Sequence, residues 1–261
     1  MSALNVCVIQ SELFWQDKSA NLKMFSEKID RIDGNPHIIV IPEMFTTGFT
    51  MQPQDFAETM DGPGLEWMRE TASKKRCVVT GSMIVEEAGS YYNRLIWMLP
   101  SGEFGVYDKR HLFSYAGEHE AYSAGNKKLV ASVNGWKINL QICYDLRFPV
   151  WTRQPVEPEK QYDLLINVAN WPEKRRDAWS TLLKARAIEN QCFVVGVNRV
   201  GTDGNGHAYS GDSMVLDPTG KILYHQEFKE DIHICTLEKE VVTEVRNHFP
   251  FLKDADPYFL A

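Results

Sequence analysis

The chain has 261 residues, of which 44% are hydrophobic and 24% are charged. This length and composition allow a full buried core, which excludes an intrinsically disordered or fibrous protein. The formal net charge of −7 argues against a nucleic-acid-binding surface, which needs clustered cations, so we expect a small polar molecule as the partner.

The N-terminal segment "MSALNVCVIQSELFWQ" lacks the basic region and the uninterrupted apolar run of a secretory signal. No later stretch is long and apolar enough to cross a bilayer, so we expect a cytoplasmic protein with no membrane partner. The cysteines are odd in number and widely spaced, with no C-x-x-C pair, which predicts reduced thiols. They are Cys7, Cys77, Cys143, Cys192 and Cys235.

Apolar runs of strand length alternate with helical segments along the chain. In chain order they are "NVCVIQ", a helix over 18–32, "HIIVIP", a helix over 64–75, "RCVVTGSMIV", "NRLIWML", "WKINLQIC", "DLLINVAN", a helix over 177–190, "CFVVGVNR", "SMVLD" and "IHICTL". Turn signals at "EEAGSYYN", "LPSGEF" and "LDPTGKI" predict hairpins, and therefore antiparallel neighbours in mixed sheets. No linker or repeat divides the chain, so we predict a single α/β domain over residues 1–261.

Polar residues stand at the ends of four of these apolar runs. The residues are Glu43, Cys143, Asn170 and Asn198. In open α/β sheets the ligand site lies outside the carboxyl ends of the strands, so the pattern predicts one shared site. The alternative for any single strand is that its end is polar only because the following loop is exposed.

The segment "INLQICYDLRFP" contains a strand that runs directly into a cysteine. Alternation of Ile138, Leu140 and Ile142 predicts a buried strand, after which Cys143 is either a small buried hydrophobe or a nucleophile. A free thiol has a pKa of about 8.5, so a nucleophilic cysteine needs a neighbouring base or cation. None of the seven histidines stands in a motif typical of Cys-His enzymes.

A glutamate and a lysine offer another way to activate a thiol. The glutamate takes the thiol proton, and the lysine stabilises the oxyanion that forms when an amide carbonyl is attacked. Glu43 in "IPEMFTTGF" and Lys109 in "YDKRHLF" are the candidates, although such a residue taken alone is more often an ordinary surface charge.

The segments "IPEMFTTGF", "YDKRHLF" and "CYDLRFP" resemble, in this order, the Glu, Lys and Cys motifs of the nitrilase, or carbon-nitrogen hydrolase, superfamily. The resemblance covers nearly the whole chain, from "VCVIQSELFWQDKSANL" through "NWPEKRRDAWSTLLKARAIENQCFVVGVNRVGTDGNG" to "FPFLKDAD", and is greatest toward the bacterial ω-amidase (2-oxoglutaramate amidase) branch. It implies a four-layer α-β-β-α sandwich with two mixed β-sheets, a homodimer, and catalysis without a metal or cofactor.

The resemblance also implies a role for each motif residue. Glu43 corresponds to the general base, Lys109 to the cation that stabilises the tetrahedral intermediate, and Cys143 to the nucleophile. The backbone N–H of Tyr144 would complete an oxyanion hole with Lys109. A second glutamate of the family best matches Glu118 in "AGEHEAYSAG", with Glu120 as the alternative.

The implied reaction is hydrolysis of the terminal carboxamide of small dicarboxylic acid monoamides, such as 2-oxoglutaramate and 2-oxosuccinamate, to the acid and ammonia through a cysteine thioester. Other members of the family share these residues, so a deaminated glutathione amidase, a carbamoyl-amide hydrolase and a nitrilase stay open. A catalytically silent member that acts as a binding module is the alternative from another class.

Candidate substrate-binding residues follow two of the strands. In "VANWPEKRRDAW", Trp171 could close over the apolar part of a substrate, and Arg175 or Arg176 could pair with its carboxylate. The alternative for both arginines is the solvated start of a helix. Arg147, four residues after Cys143, could serve the substrate or the fold, and Phe45 could be a pocket wall or core.

Overall fold

A computed structural model describes residues 3–258 of the protein. The strands are β1 (Ala3–Gln10), β2 (Ile38–Val40), β3 (Val78–Glu87), β4 (Ser90–Met98), β5 (Phe104–Asp108), β6 (Val130–Val133), β7 (Trp136–Ile142), β8 (Leu164–Ala169), β9 (Phe193–Asn198), β10 (Val200–Thr202), β11 (Ala208–Leu216), β12 (Ile222–Glu227) and β13 (Asp231–Glu238). The helices are α1 (Lys18–Asp30), α2 (Pro53–Phe56), α3 (Pro63–Lys75), α4 (Glu118–Ala121), α5 (Pro149–Thr152), α6 (Arg176–Asn190) and α7 (Lys239–His248). The three helices predicted from the sequence are α1, α3 and α6.

The strands form two mixed sheets. The first has the order β13-β1-β2-β3-β4-β5, with β1, β2 and β3 parallel and the other pairs antiparallel. The second has the order β10-β11-β9-β8-β7-β6, with β7, β8 and β9 parallel and β12 added beside β11. The predicted hairpins connect β3 to β4, β4 to β5 and β11 to β12.

The three long helices cover the outer faces of the sheets because each presents one apolar side. On α1 this side includes Phe25 and Ile29, one helical turn apart, which pack with Leu65 and Met68 of α3 against the first sheet. On α6, Leu183 belongs to the core of the second sheet. A shared core between the two sheets completes four layers, so the predicted α-β-β-α sandwich is confirmed.

The carboxyl ends of the parallel strands of both sheets lie at one edge of the fold. Glu43 follows β2, Cys143 follows β7, Asn170 follows β8, and Asn198 ends β9. Of the helices within residues 3–258, none is long and apolar enough to cross a membrane.

Candidate active site

A buried lysine and two buried glutamates meet at this edge. Lys109 Nζ lies 2.9 Å from Glu43 Oε1 and 2.9 Å from both carboxylate oxygens of Glu118, and all three side chains are completely shielded from solvent. Burial by itself would lower the pKa of Lys109, but the Glu118 and Glu43 carboxylates raise it above its ordinary value. Lys109 is therefore an ammonium at neutral pH.

Two asparagines hold the carboxylates in place. Asn93, on β4, donates from Nδ2 to Glu43 Oε1 at 2.8 Å and to Glu118 Oε1 at 3.3 Å, and its own Oδ1 accepts from Ser82. Asn170 donates from its backbone N–H to Glu43 Oε2 at 2.7 Å and from its side chain to the Glu43 carbonyl at 2.5 Å. Glu43, in the first sheet, is thus fixed by a residue of the second sheet.

Cys143 stands at a sharp turn between β7 and the 3-10 turn Cys143–Arg147. Its φ of +43° is in the left-handed region, which is rare for a residue with a side chain and often marks a functional position. Burial raises the pKa of the Cys143 thiol well above its ordinary value, Glu43 raises it further, and Lys109 lowers it. The resting thiol is therefore protonated, beside a carboxylate that can accept its proton.

The structure distinguishes the two candidates for the second glutamate. Gly117, with a φ of +77°, turns the chain so that Glu118 begins α4 facing Lys109, and Glu118 Oε2 also accepts from the Phe113 backbone N–H. Burial and the nearby Glu43 charge raise the pKa of Glu118, and Lys109 opposes this shift. Glu120 has a side chain that is 79% exposed. Glu118, and not Glu120, joins the buried group.

Cys143 lies at the wall of a cavity of about 330 Å³, a volume within the range of small-molecule sites. Aromatic side chains and three cations line it. They are Phe49, Phe113, Tyr115, Tyr144, Trp171, Tyr209, Arg147, Lys174 and Arg175. The Arg147 guanidinium lies 4.9 Å from the ring centroid of Trp171, and the Arg175 guanidinium lies 5.2 Å from that of Phe113. The aromatic walls therefore hold both guanidinium groups at the cavity.

Two candidate pocket residues lie elsewhere. Phe45 packs in the core beneath α1 and α3, with its ring centroid 5.9 Å from that of Phe25, because the positive φ of Met44 turns the chain after Glu43. Arg176 begins α6 and pairs with Asp212, at 2.7 Å, and with Glu227, so its charge is already neutralised outside the cavity. Neither residue lines the cavity, and their positions match the alternatives that the sequence left open, core packing for Phe45 and a helix start for Arg176.

Other expected residues do reach the cavity. Trp171 is a buried part of its wall, and its indole N–H donates to the Arg175 carbonyl at 2.8 Å. Tyr144 also lines the cavity, with its ring against Phe113 and Phe148. The oxyanion role of the Tyr144 backbone N–H stays a prediction.

Sequence reasoning did not assign a role to Asn93 and recognised Asn170 only as a polar strand end. Asn93 begins the apolar run "NRLIWML", and burying its amide without a partner would be costly. That position alone could have predicted a buried hydrogen-bond partner for Asn93.

A buried cysteine, two carboxylates and an ammonium lie together at the carboxyl ends of two packed sheets. This arrangement is expected of a carbon-nitrogen hydrolase, and a comparison of the whole chain with known families gives the same class. The chain belongs to the Carbon-nitrogen hydrolase family, which matches residues 5–247. This confirms the family resemblance seen in the three motifs.

Among individual proteins, the chain is 41% identical to the omega-amidase YafV of Yersinia enterocolitica over 100% of both chains. It is 32% identical to the 2-oxoglutaramate amidase of Bacillus subtilis over 95% of this chain and 96% of that protein. The crystal structure of XC1258 from Xanthomonas campestris, a CN-hydrolase superfamily protein with an arsenic adduct in its active site, shares 40% identity and a TM-score of 0.97 over 100% of both chains.

Proposed function

We propose that the protein is an ω-amidase that hydrolyses the terminal carboxamide of small dicarboxylic acid monoamides, such as 2-oxoglutaramate and 2-oxosuccinamate. The observation that carries the proposal is the buried contact of Lys109 with Glu43 and Glu118 beside Cys143. The relatives named as omega-amidase and 2-oxoglutaramate amidase support the choice of substrate.

In the first half of the proposed reaction, Cys143 attacks the carboxamide carbon while Glu43 takes the thiol proton. Burial and the Glu43 charge raise the pKa of the Cys143 thiol, which disfavours a free thiolate, so the proposed transfer accompanies the attack. The Lys109 ammonium and the Tyr144 backbone N–H stabilise the negative charge on the carbonyl oxygen. The C–N bond of the intermediate then breaks while Glu43 returns the proton to the nitrogen. Ammonia departs, and Cys143 carries the acyl group as a thioester.

In the second half, a water molecule attacks the thioester carbon while Glu43 takes its proton. The C–S bond breaks, the acid leaves, and Glu43 returns the proton to the Cys143 thiolate. The fixed orientation of the Glu43 carboxylate, held through Asn93, Lys109 and Asn170, suits a base that must serve two nucleophiles in turn.

The experiment that tests this function measures ammonia release from 2-oxoglutaramate, 2-oxosuccinamate, simple nitriles and carbamoyl amino acids, and cysteinylglycine release from deaminated glutathione. We expect the highest kcat/KM with the two oxo acid amides. Greater turnover of one of the other three substrates would move the protein to the corresponding branch of the family, and no turnover of any would favour a silent binding module.

The two neighbouring glutamates provide a test of the second carboxylate. We expect Glu118→Gln to lower kcat by about 10²-fold, since removing one preorganised charged group from a catalytic site typically has an effect of that size. Glu120→Gln is the matched control, because its side chain is exposed, and it should leave kcat unchanged. Equal rates for both variants would remove Glu118 from the mechanism.

The three arginines provide a test of how the distal carboxylate of the substrate is bound. We expect Arg147→Met and Arg175→Met to raise KM for 2-oxoglutaramate by about 10- to 100-fold, because a hydrogen bond to a charged group contributes about 1.5–3 kcal/mol. Arg176→Met is the control, since Arg176 pairs with Asp212 away from the cavity, and KM should not change. Steady-state kinetics that show a higher KM only for Arg176→Met would contradict the assignment.

A further inference from the structure

Asp145, two residues after Cys143, is a fully buried carboxylate outside the group of Glu43, Lys109 and Glu118. Its Oδ2 accepts from the Tyr107 hydroxyl at 2.7 Å and from the Ile142 backbone N–H at 3.1 Å. Its Oδ1 accepts from the His111 backbone N–H at 2.9 Å and lies 2.8 Å from His111 Nδ1. One partner for each oxygen would be enough to leave neither of them unpaired, so the four contacts of Asp145 indicate a further structural role.

The partners of Asp145 lie on both sides of the site. Tyr107 lies on β5 of the first sheet, two residues before Lys109, and His111 lies two residues after Lys109, beyond the end of that strand. Ile142 is the last residue of β7, in the second sheet, and directly precedes Cys143. One carboxylate therefore joins the segment that carries Lys109 to the turn that carries Cys143.

The backbone at Cys143 shows why this turn needs support. A φ of +43° is unfavourable for a residue with a side chain and persists only where surrounding contacts impose it. The bond from the Ile142 N–H to Asp145 Oδ2 spans the turn on either side of Cys143. Neighbouring rings hold the other partners: His111 stacks on Phe148 with centroids 3.7 Å apart, and the Trp151 indole N–H donates to the Tyr107 hydroxyl at 3.0 Å.

We propose that Asp145 is a positioning residue that fixes the Cys143 thiol relative to the Lys109 ammonium by binding Ile142 on one side and Tyr107 and His111 on the other. Asp145 does not line the cavity, so it acts through these neighbours and not on the substrate. The inference rests on the roles proposed above for Cys143 and Lys109.

The test uses alkylation of Cys143 by iodoacetamide, followed by mass spectrometry, because this readout needs no amide substrate. We expect Asp145→Asn to lower the rate constant of Cys143 alkylation by about 10-fold, since a nearby cation changes a thiol pKa by about one unit or more. At completion one Cys143 per chain should be labelled while the other four buried cysteines stay unlabelled, which shows that the variant is folded and that its rate per site has changed.

A double-mutant cycle separates positioning from general stability. If Asp145 acts by placing Lys109 beside the thiol, Asp145→Asn should change the alkylation rate by less than about 2-fold in a Lys109→Met background. An equal loss in both backgrounds would overturn the proposal. Tyr107→Phe removes one of the four contacts and should show the same dependence on Lys109 with a smaller loss, which keeps the test valid if Asp145→Asn folds poorly.

The matched control is Asp163→Asn. Asp163 is also a buried carboxylate that accepts a backbone N–H, from Lys137 at 2.9 Å, but it lies before β8, at the opposite end of the same sheet. We expect a lower melting temperature for this variant with an unchanged alkylation rate, and an alkylation loss as large as that of Asp145→Asn would overturn the proposal. Absence of oxo acid amide turnover in the unmodified protein would contradict only the proposed function, since the alkylation rates do not depend on it.

Discussion

Cys143→Ala is expected to abolish ammonia release from every amide while the protein keeps its fold. The proposed mechanism forms and breaks a bond to the Cys143 sulfur, and no other group of the buried site described above can take its place. Alanine keeps the β-carbon at the left-handed backbone position, so the turn after β7 stays as it is. We expect the melting temperature to change by less than about 5 °C, because a loss of about 1 kcal/mol shifts a chain of this size by only a few degrees.

Thermal unfolding and an ammonia assay on the same preparation check this result. Cys192→Ala is the matched control, because Cys192 is another buried thiol but lies between α6 and β9 and does not line the cavity. It should keep full activity. Residual turnover by Cys143→Ala above that of buffer would show that the reaction does not need the thiol.

The second large effect concerns Glu43 and Lys109. We expect Glu43→Gln and Lys109→Met each to lower kcat by about 10²- to 10⁴-fold, since roughly 3 to 5 kcal/mol of transition-state stabilisation depends on such groups. The amide introduced by Glu43→Gln cannot take a proton from a thiol or from water. Loss of the ammonium leaves the oxyanion with one donor fewer and leaves two buried carboxylates without their shared cation.

Stability and catalysis must be separated for these two variants, because removing one partner of a buried ion pair can cost about 3–5 kcal/mol of folding free energy. Glu58→Gln is the control for a carboxylate-to-amide change: Glu58 is buried, accepts from the Gly64 N–H at 2.6 Å and pairs with Lys18, without contact to Lys109. We expect lower stability and unchanged kcat for that variant. An unchanged kcat for Glu43→Gln or Lys109→Met would contradict the assigned roles.

The sequence was most informative where one local pattern determines one feature. Strand alternation located β7 up to Cys143, and helical spacing located α6 to within a residue of each end. The order of the four layers did not follow from those patterns, because it depends on which apolar faces meet, and only the family resemblance supplied it.

The site was harder to predict where a residue's partner is distant in sequence. Asn170 binds Glu43 from 127 residues away, and Arg176 finds Asp212 36 residues later, on β11. Phe45 shows that closeness in sequence is also no guide to position. It lies two residues after Glu43 but packs in the core, beyond the positive φ of Met44, which no residue pattern predicts.

The hydrogen bond between Asn170 and Glu43 joins the second sheet to the first. Enzyme activity should therefore depend on how precisely the two sheets pack against each other. Glu43 and Lys109 follow strands of the first sheet, and Cys143 follows β7 of the second. A small relative displacement of the sheets would separate these groups while both retained their own strands and hydrogen-bonded ladders. In a urea titration, activity should therefore disappear before the far-ultraviolet circular dichroism of the strands begins to change.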